Sequence, residues 1–238
     1  MNNLRVKLYT TLRRVKADIY KKYFPRLYLE NLSRWERISH DYKCIFIHIP
    51  KTGGNSITTA LNKLPKRSNT PISISTIPKH AKAQRVKQAL GDDIWEAYFS
   101  FAFVRNPWDL MVSSYHWWLQ TAPIWKHLHA EIKEIEKLGS FDHFMHSKYG
   151  QEMINESKGT MFDWISENDE VIVDFVGRFE NIQEDWEKIC VHLGSEPTTM
   201  PHINKTRRRN YQQYYTPETR QIVYERFQKV IDLYGYEF

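Results

Sequence analysis

Phe46-Ile47-His48-Ile49-Pro50-Lys51-Thr52-Gly53-Gly54-Asn55-Ser56 joins two kinds of pattern. Before it runs an apolar, β-type segment, Lys43–Ile49. After it, Ile57, Ala60, Leu61 and Leu64 repeat at helical spacing. A strand that turns into a helix on two glycines makes a cradle for anions. The first helical N–H groups have no partner within the helix, and the helix end carries partial positive charge. Glycine lets the backbone approach a ligand closely. Lys51 adds a point charge, Thr52 and Ser56 add hydroxyl donors, and the amides of Gly53, Gly54, Asn55 and Ser56 face the bound group. Lys51 precedes both glycines, whereas a Walker A loop places its Lys after the last Gly, so an ATP or GTP loop fits poorly.

A second junction of the same kind follows. Tyr98–Val104 is a nearly continuous apolar run, as in buried parallel strands. It ends in Arg105-Asn106-Pro107-Trp108-Asp109. Asn106 is a good N-cap and Pro107 a good first helical residue. Ser113 lies about 10 Å along that helix at about 1.5 Å per residue. A phosphate beside the first turns would meet Ser113 and the Arg105 fork, which can make two hydrogen bonds to one phosphate.

Both junctions resemble motifs of the sulfotransferase superfamily, which uses 3′-phosphoadenylyl sulfate (PAPS). Pro-Lys-Thr-Gly-Gly-Asn-Ser is similar to its 5′-phosphosulfate loop, and Arg-Asn-Pro-Trp-Asp with Ser113 to its 3′-phosphate motif. The lead-in Phe-Ile-His-Ile looks like the carbohydrate O-sulfotransferase branch (sulfotransferase family 2). His202-Ile-Asn204, Tyr211, Tyr214-Tyr215 and the closing Tyr234-Gly-Tyr-Glu-Phe238 match the end of many such enzymes. The resemblance runs from about Cys44 onward. It implies a single α/β, P-loop-like three-layer domain, with a short central parallel sheet flanked by helices. It also implies a basic loop over the 3′-phosphate, which by position would be Lys205, Arg207, Arg208 and Arg209, and an aromatic near the adenine, for which Phe179 and Trp108 are candidates. Core packing is the alternative for both rings.

Sulfuryl transfer is an in-line displacement, so catalysis is largely positioning and electrostatics. Lys51 would stabilise the leaving oxygen. A base near neutrality points to His, and there are ten. Carbohydrate sulfotransferases of this kind use a His between their two PAPS motifs, and His80 is the one found there. It sits near the start of a helix expected over Pro78–Leu90, where the dipole would keep the ring neutral. His116 is the second candidate. His48 is read as packed beside the first strand, and Lys79 as a contact for an anionic acceptor.

Residues 1–40 hold ten Lys/Arg against three acids, while the whole chain carries only +6. Within them, residues 3–22 form an amphipathic helical pattern on Leu4, Leu8, Leu12, Val15 and Ile19. Such a helix suits an anionic membrane surface, an acidic polymer, or docking on its own domain or a second subunit. The expected division is therefore a basic N-terminal segment, 1–40, and a sulfotransferase domain, 41–238. No apolar run approaches the roughly 20 residues of a membrane span, and no signal-peptide core is present. The two cysteines make no disulfide framework. The expected setting is cytoplasmic, with a peripheral membrane contact through 3–22 as the variant. Neither a metal nor a nucleic acid is called for.

The remaining elements are expected as a loop over 65–77 with an extended piece at 72–74, a helical insertion over 123–160 broken at Gly139-Ser140, a strand at Val171–Phe179, and helices at Ile182–Leu193 and Pro217–Leu233. The His- and aromatic-rich residues 121–160 would line an acceptor cleft, or pack as core. The reading is PAPS-dependent transfer to a hydroxyl, on a sugar or glycan. Two rivals stay open: a P-loop nucleotide kinase, and an inactive protein that binds the product nucleotide PAP or a glycan.

Overall fold

The computed structural model describes residues 37–67, 77–120, 128–151, 159–201 and 208–238. The expected helix at 3–22, the extended piece at 72–74, Lys205 and Arg207 lie outside them.

Among the described residues the chain runs β1 (Ile38–Ser39), β2 (Cys44–Ile47), α1 (Gly54–Leu61), α2 (Ala83–Leu90), α3 (Asp92–Ala97), β3 (Phe99–Val104) and α4 (Pro107–Gln120). There follow α5 (His129–Leu138), α6 (Phe141–His146), α7 (Lys148–Gln151), α8 (Met161–Ile165), β4 (Ser166–Glu167), β5 (Glu170–Val171), β6 (Phe175–Arg178), α9 (Ile182–His192) and α10 (Pro217–Tyr234). The main sheet has the order β1-β2-β3-β6. β1 pairs antiparallel, while β2, β3 and β6 are parallel, with Cys44 opposite Phe99 and Phe101 opposite Phe175. All three parallel strands therefore finish on one edge, where open α/β sheets bind ligands.

Alternation along the strands makes the three layers. Cys44 and Phe46 of β2 and Phe101 and Phe103 of β3 face α1 and α9, packing on Ile57, Leu61, Trp186 and Ile189. Ile45, Ile47, Ala102 and Val104 face the other way, into a larger core with Trp108, Met111, Trp164, Val223 and Phe227. Successive strand side chains point to opposite faces, so a sheet buried on both sides is apolar at every position. The α/β three-layer expectation holds.

The central strands and the last helix lie close to where the sequence places them. Asn106 caps α4, its Oδ1 accepting from the amides of Trp108 and Asp109. Gly139 ends α5 in the left-handed region (φ 71°), and Ser140 caps α6 by accepting from the His143 amide. Two elements differ. The run expected as one strand over Val171–Phe179 is split. Asp174 accepts from the amide and hydroxyl of Ser100, so Glu170–Val171 turns back on β4 and only Phe175–Arg178 joins the main sheet. The helix expected from Pro78 starts at Ala83 after an extended Lys82. Arg37 explains the delay. Its guanidinium donates to the carbonyls of Ile77, Pro78 and Lys79, the groups that a helix beginning there would need.

Candidate active site

The rim formed by the ends of β2, β3 and β6 carries Lys51, Arg105 and Arg178. After β2 the chain turns at Lys51 and Gly53, both in the left-handed region (φ 68° and 82°). Gly53 has a second reason to be glycine: a Cβ there would meet Ile182 Cδ1 at 2.8 Å and the Phe179 ring at 3.0 Å. A Cβ on Gly54 would come within 2.0 Å of His48 Nε2. The two glycines thus let the cradle sit flat on its supports.

The cradle differs in detail from the expectation. Thr52 is fully buried, and its hydroxyl donates to the Ile49 carbonyl at 3.0 Å, closing the turn. The Ser56 amide donates to the Gly53 carbonyl at 2.9 Å. The N–H groups left at the mouth are those of Gly53, Gly54 and Asn55. The Lys51 ammonium makes no hydrogen bond or ion pair with the described residues and lies 5.9 Å from the Trp117 ring. Burial, with Arg105 and Arg208 nearby, lowers its pKa from the ordinary lysine value to about 7.

Arg105 is 6% exposed and holds the second corner. Its Nε and Nη2 donate to Asp109 Oδ2 at 2.9 and 2.6 Å. Its Nη1 donates to the Lys51 carbonyl at 2.8 Å and to Ser113 Oγ at 3.3 Å. The guanidinium lies over the Phe179 ring at 4.0 Å. Arg208 joins them, its Nη2 2.6 Å from Asp109 Oδ1. Arg209 is exposed and contributes only an amide to the Tyr214 hydroxyl. Asp109, set one helical turn beyond Arg105, was not singled out from the sequence, although the i, i+4 spacing of opposite charges could have marked it.

Glu180 and the C-terminal residues brace this corner. Glu180 accepts from the Asn106 amide at 2.6 Å and the Tyr236 hydroxyl at 3.0 Å, and Asn106 Nδ2 donates to the Glu237 carbonyl at 2.8 Å. Trp108 is core: 3% exposed, with Nε1 donating to the Arg220 carbonyl and Phe238 against its ring edge. Of the two aromatic candidates only Phe179 borders the cradle.

His80 lies in the turn before α2, so the helix dipole is not what keeps it neutral. Burial, Lys79 and Arg37 lower its pKa to about 4. Its Nδ1 is 3.3 Å from the His48 carbonyl, which can only accept; the proton is therefore on Nδ1 and Nε2 is the basic nitrogen. His48 is buried, as expected, with its ring centroid 4.7 Å from that of His80. Lys79 Nζ donates to Asn55 Oδ1 at 2.8 Å, tying the His80 turn to the cradle helix, and its pKa falls to about 8. Both ring nitrogens of His116 are taken, one by the Tyr214 hydroxyl at 2.8 Å and one by the Gln120 amide at 3.0 Å. His80 Nε2, by contrast, makes no hydrogen bond with the described residues. Phe141 and Phe144 of the insertion pack into the core at 5% and 0% exposure and do not line a cleft.

A sheet rim bearing a glycine turn, a half-buried ammonium with no ion-pair partner among the described residues and two arginines fits the anion-binding edge of the P-loop-like class. The chain belongs to the sulfotransferase family, whose model matches residues 37–237, and is on that ground a transferase of sulfuryl groups. It is also similar to a protein of Archaeoglobus fulgidus that bears the name "Uncharacterized protein". The two are 29% identical over 131 residues, 54% of this chain and 95% of the other. No solved structure matches the chain significantly. Among the described residues, no helix is long and apolar enough to cross a membrane.

Proposed function

We propose that the chain is a PAPS-dependent O-sulfotransferase whose acceptor is a hydroxyl on a sugar or glycan. The observation that carries this is the joining of the two corners: Arg105 donates to the carbonyl of Lys51, so both cations belong to one site. The residues fit a doubly phosphorylated nucleotide. A half-buried ammonium with no carboxylate partner among the described residues, and a guanidinium that still reaches Ser113, both gain from an anion.

When bound, PAPS supplies the sulfuryl group and leaves as PAP. Lys51 and the amides of Gly53–Asn55 hold negative charge on the 5′ side, including the charge that develops on the leaving oxygen. Arg105, Ser113 and Arg208 hold the 3′-phosphate, with Lys205 and Arg207 of the same loop as further proposed contacts. His80 Nε2 accepts the proton of the acceptor hydroxyl. A pKa of about 4 is low for that task. Negative charge held at Lys51 offsets Lys79 and Arg37 and raises the ring's pKa back toward neutral pH. The sugar acceptor is supported by the resemblance at Phe46–Ile49. Residues 1–40 are proposed as a separate basic segment for a membrane or subunit contact, and the setting as cytoplasmic.

The test is incubation with labelled PAPS and a panel of glycans, monosaccharides and phenols, read by mass spectrometry. A sulfated sugar product is expected, with His80→Ala slowing turnover by about 10²–10⁴-fold. Tight PAP binding without any product would favour the inactive-binder reading. Full turnover of His80→Ala would remove it as the base.

Nucleotide binding should also take up protons. Lys51, near 7, and Lys79, near 8, are partly neutral at pH 8 and gain protons beside phosphates. PAP affinity should therefore fall as pH rises from 7 to 9. Calorimetry at pH 8, where phosphates (second pKa about 6) are already ionised, should register an uptake of about one proton. Zero uptake or release would contradict the assignment.

A further inference from the structure

Arg37 is a half-buried guanidinium that spends its donors on main chain. Nη1 donates to the Pro78 carbonyl at 2.8 Å and to that of Lys79, and Nη2 to the Ile77 carbonyl at 3.2 Å. Its own carbonyl accepts from the Phe46 amide at 2.6 Å, which anchors it beside β2. Such an arrangement is costly. Burial lowers the Arg37 pKa to about 10, and Nε has no hydrogen-bond partner. A surface turn does not need this; a turn whose position matters does. The turn in question carries His80. It is pinned to the strand layer by Arg37 and to the first turn of the cradle helix by Lys79 and Asn55.

We propose that Arg37 is a positioning residue for the transfer step, fixing the 77–79 turn so that His80 stands at the donor cradle. The proposal rests on the reading of His80 as the base. Placement errors of about 1 Å at a reacting centre can cost about 10²-fold in rate. Arg37 also contributes charge. The groups facing His80 are Lys79 on its own turn, Arg37 from the start of β1, His48 from the end of β2 and the uncharged edge of Trp164 from α8. With two cations and a neutral imidazole there, removing one cation makes His80 easier to protonate.

The experiment compares Arg37→Ala, Arg37→Lys, His80→Ala and the double variant Arg37→Ala/His80→Ala in the full chain. It measures kcat, KM for PAPS, PAP affinity and the pH profile of kcat/KM. Arg37→Ala is expected to lower kcat by about 10- to 100-fold, with PAP affinity changed less than about threefold. Its acid limb should move up from near 4 by a small step, because burial and Lys79, the larger causes of the low value, stay in place. Arg37→Lys keeps the charge but replaces the planar fork by one compact donor group, which cannot span the three carbonyls in the same geometry. It should lose a comparable factor in kcat with the acid limb unmoved, and it carries the test if Arg37→Ala does not fold. The double variant should be no slower than His80→Ala. If His80→Ala is inactive while both Arg37 variants turn over normally, the Arg37 assignment is wrong and the base assignment stands. A kcat loss with PAP affinity falling in parallel and no limb shift in Arg37→Ala would also overturn it, as would an active His80→Ala, which removes the base itself.

Discussion

Lys51→Met should slow sulfuryl transfer by about 10²–10³-fold while making the ligand-free protein more stable. The side chain is an ammonium held against Trp117 with Arg105 and Arg208 close by, and no carboxylate contributes to its titration. Losing one donor of this type from a transition-state site costs about 10²–10³ in kcat. The same geometry is unfavourable before ligand arrives, because burial and two guanidinium charges oppose the ammonium. Methionine keeps much of the stem and removes the charge. Relief of about 1 kcal/mol or more should raise Tm by about 2–4 °C in a chain of this size. The pH dependence has a definite sign. With the folded pKa near 7 and the unfolded value near 10.5, the unfolded chain binds more protons between them. Wild-type stability therefore rises over that window. Lys51→Met lacks this contribution, so its advantage should shrink as pH is raised from 7 to 10. Thermal melts at pH 7 and 9.5, set beside single-turnover rates, check both halves. A destabilised variant would mean that Lys51 is a structural residue.

Arg105→Lys should remove recognition of the 3′-phosphate and leave the 5′ side nearly intact. The guanidinium makes four hydrogen bonds, to Asp109, Ser113 and the Lys51 carbonyl, while stacking on Phe179. A lysine ammonium has three donors and no plane, and cannot reproduce that fork. The protein should still fold, because Asp109 keeps Arg208. PAP affinity is expected to fall about 10²–10³-fold, the equivalent of about 3–4 kcal/mol. AMP, which has no 3′-phosphate, should change less than about threefold. Titration of both nucleotides into both proteins measures the difference. Equal losses for PAP and AMP would place Arg105 elsewhere in the mechanism.

What the sequence made legible is local. Phe46–Ser56 and Arg105–Ser113 each lie within one strand–helix junction, so propensity, caps and glycines expose them without tertiary knowledge. The same holds for Gly139-Ser140 and for the α10 boundary at Pro217. What stayed hidden depends on partners far along the chain. The dipole argument for the neutrality of His80 fails, because Arg37, more than 40 residues upstream, takes the carbonyls that would have extended α2 over it. Val171–Phe179 reads as one apolar run until Asp174 meets Ser100 on another strand. Thr52 looks like a ligand donor until its burial turns the hydroxyl to Ile49. Glu180 carries no motif of its own; its value comes from joining Tyr236, at the chain's end, to Asn106.

A crystal structure with PAP bound is the most direct measurement of the central claim. The account predicts one nucleotide spanning the rim, its 5′-phosphate on Lys51 and the Gly53–Asn55 amides and its 3′-phosphate on Arg105, Ser113 and Arg208. A nucleotide bound at another edge of the sheet, or touching only one of the two corners, would contradict it.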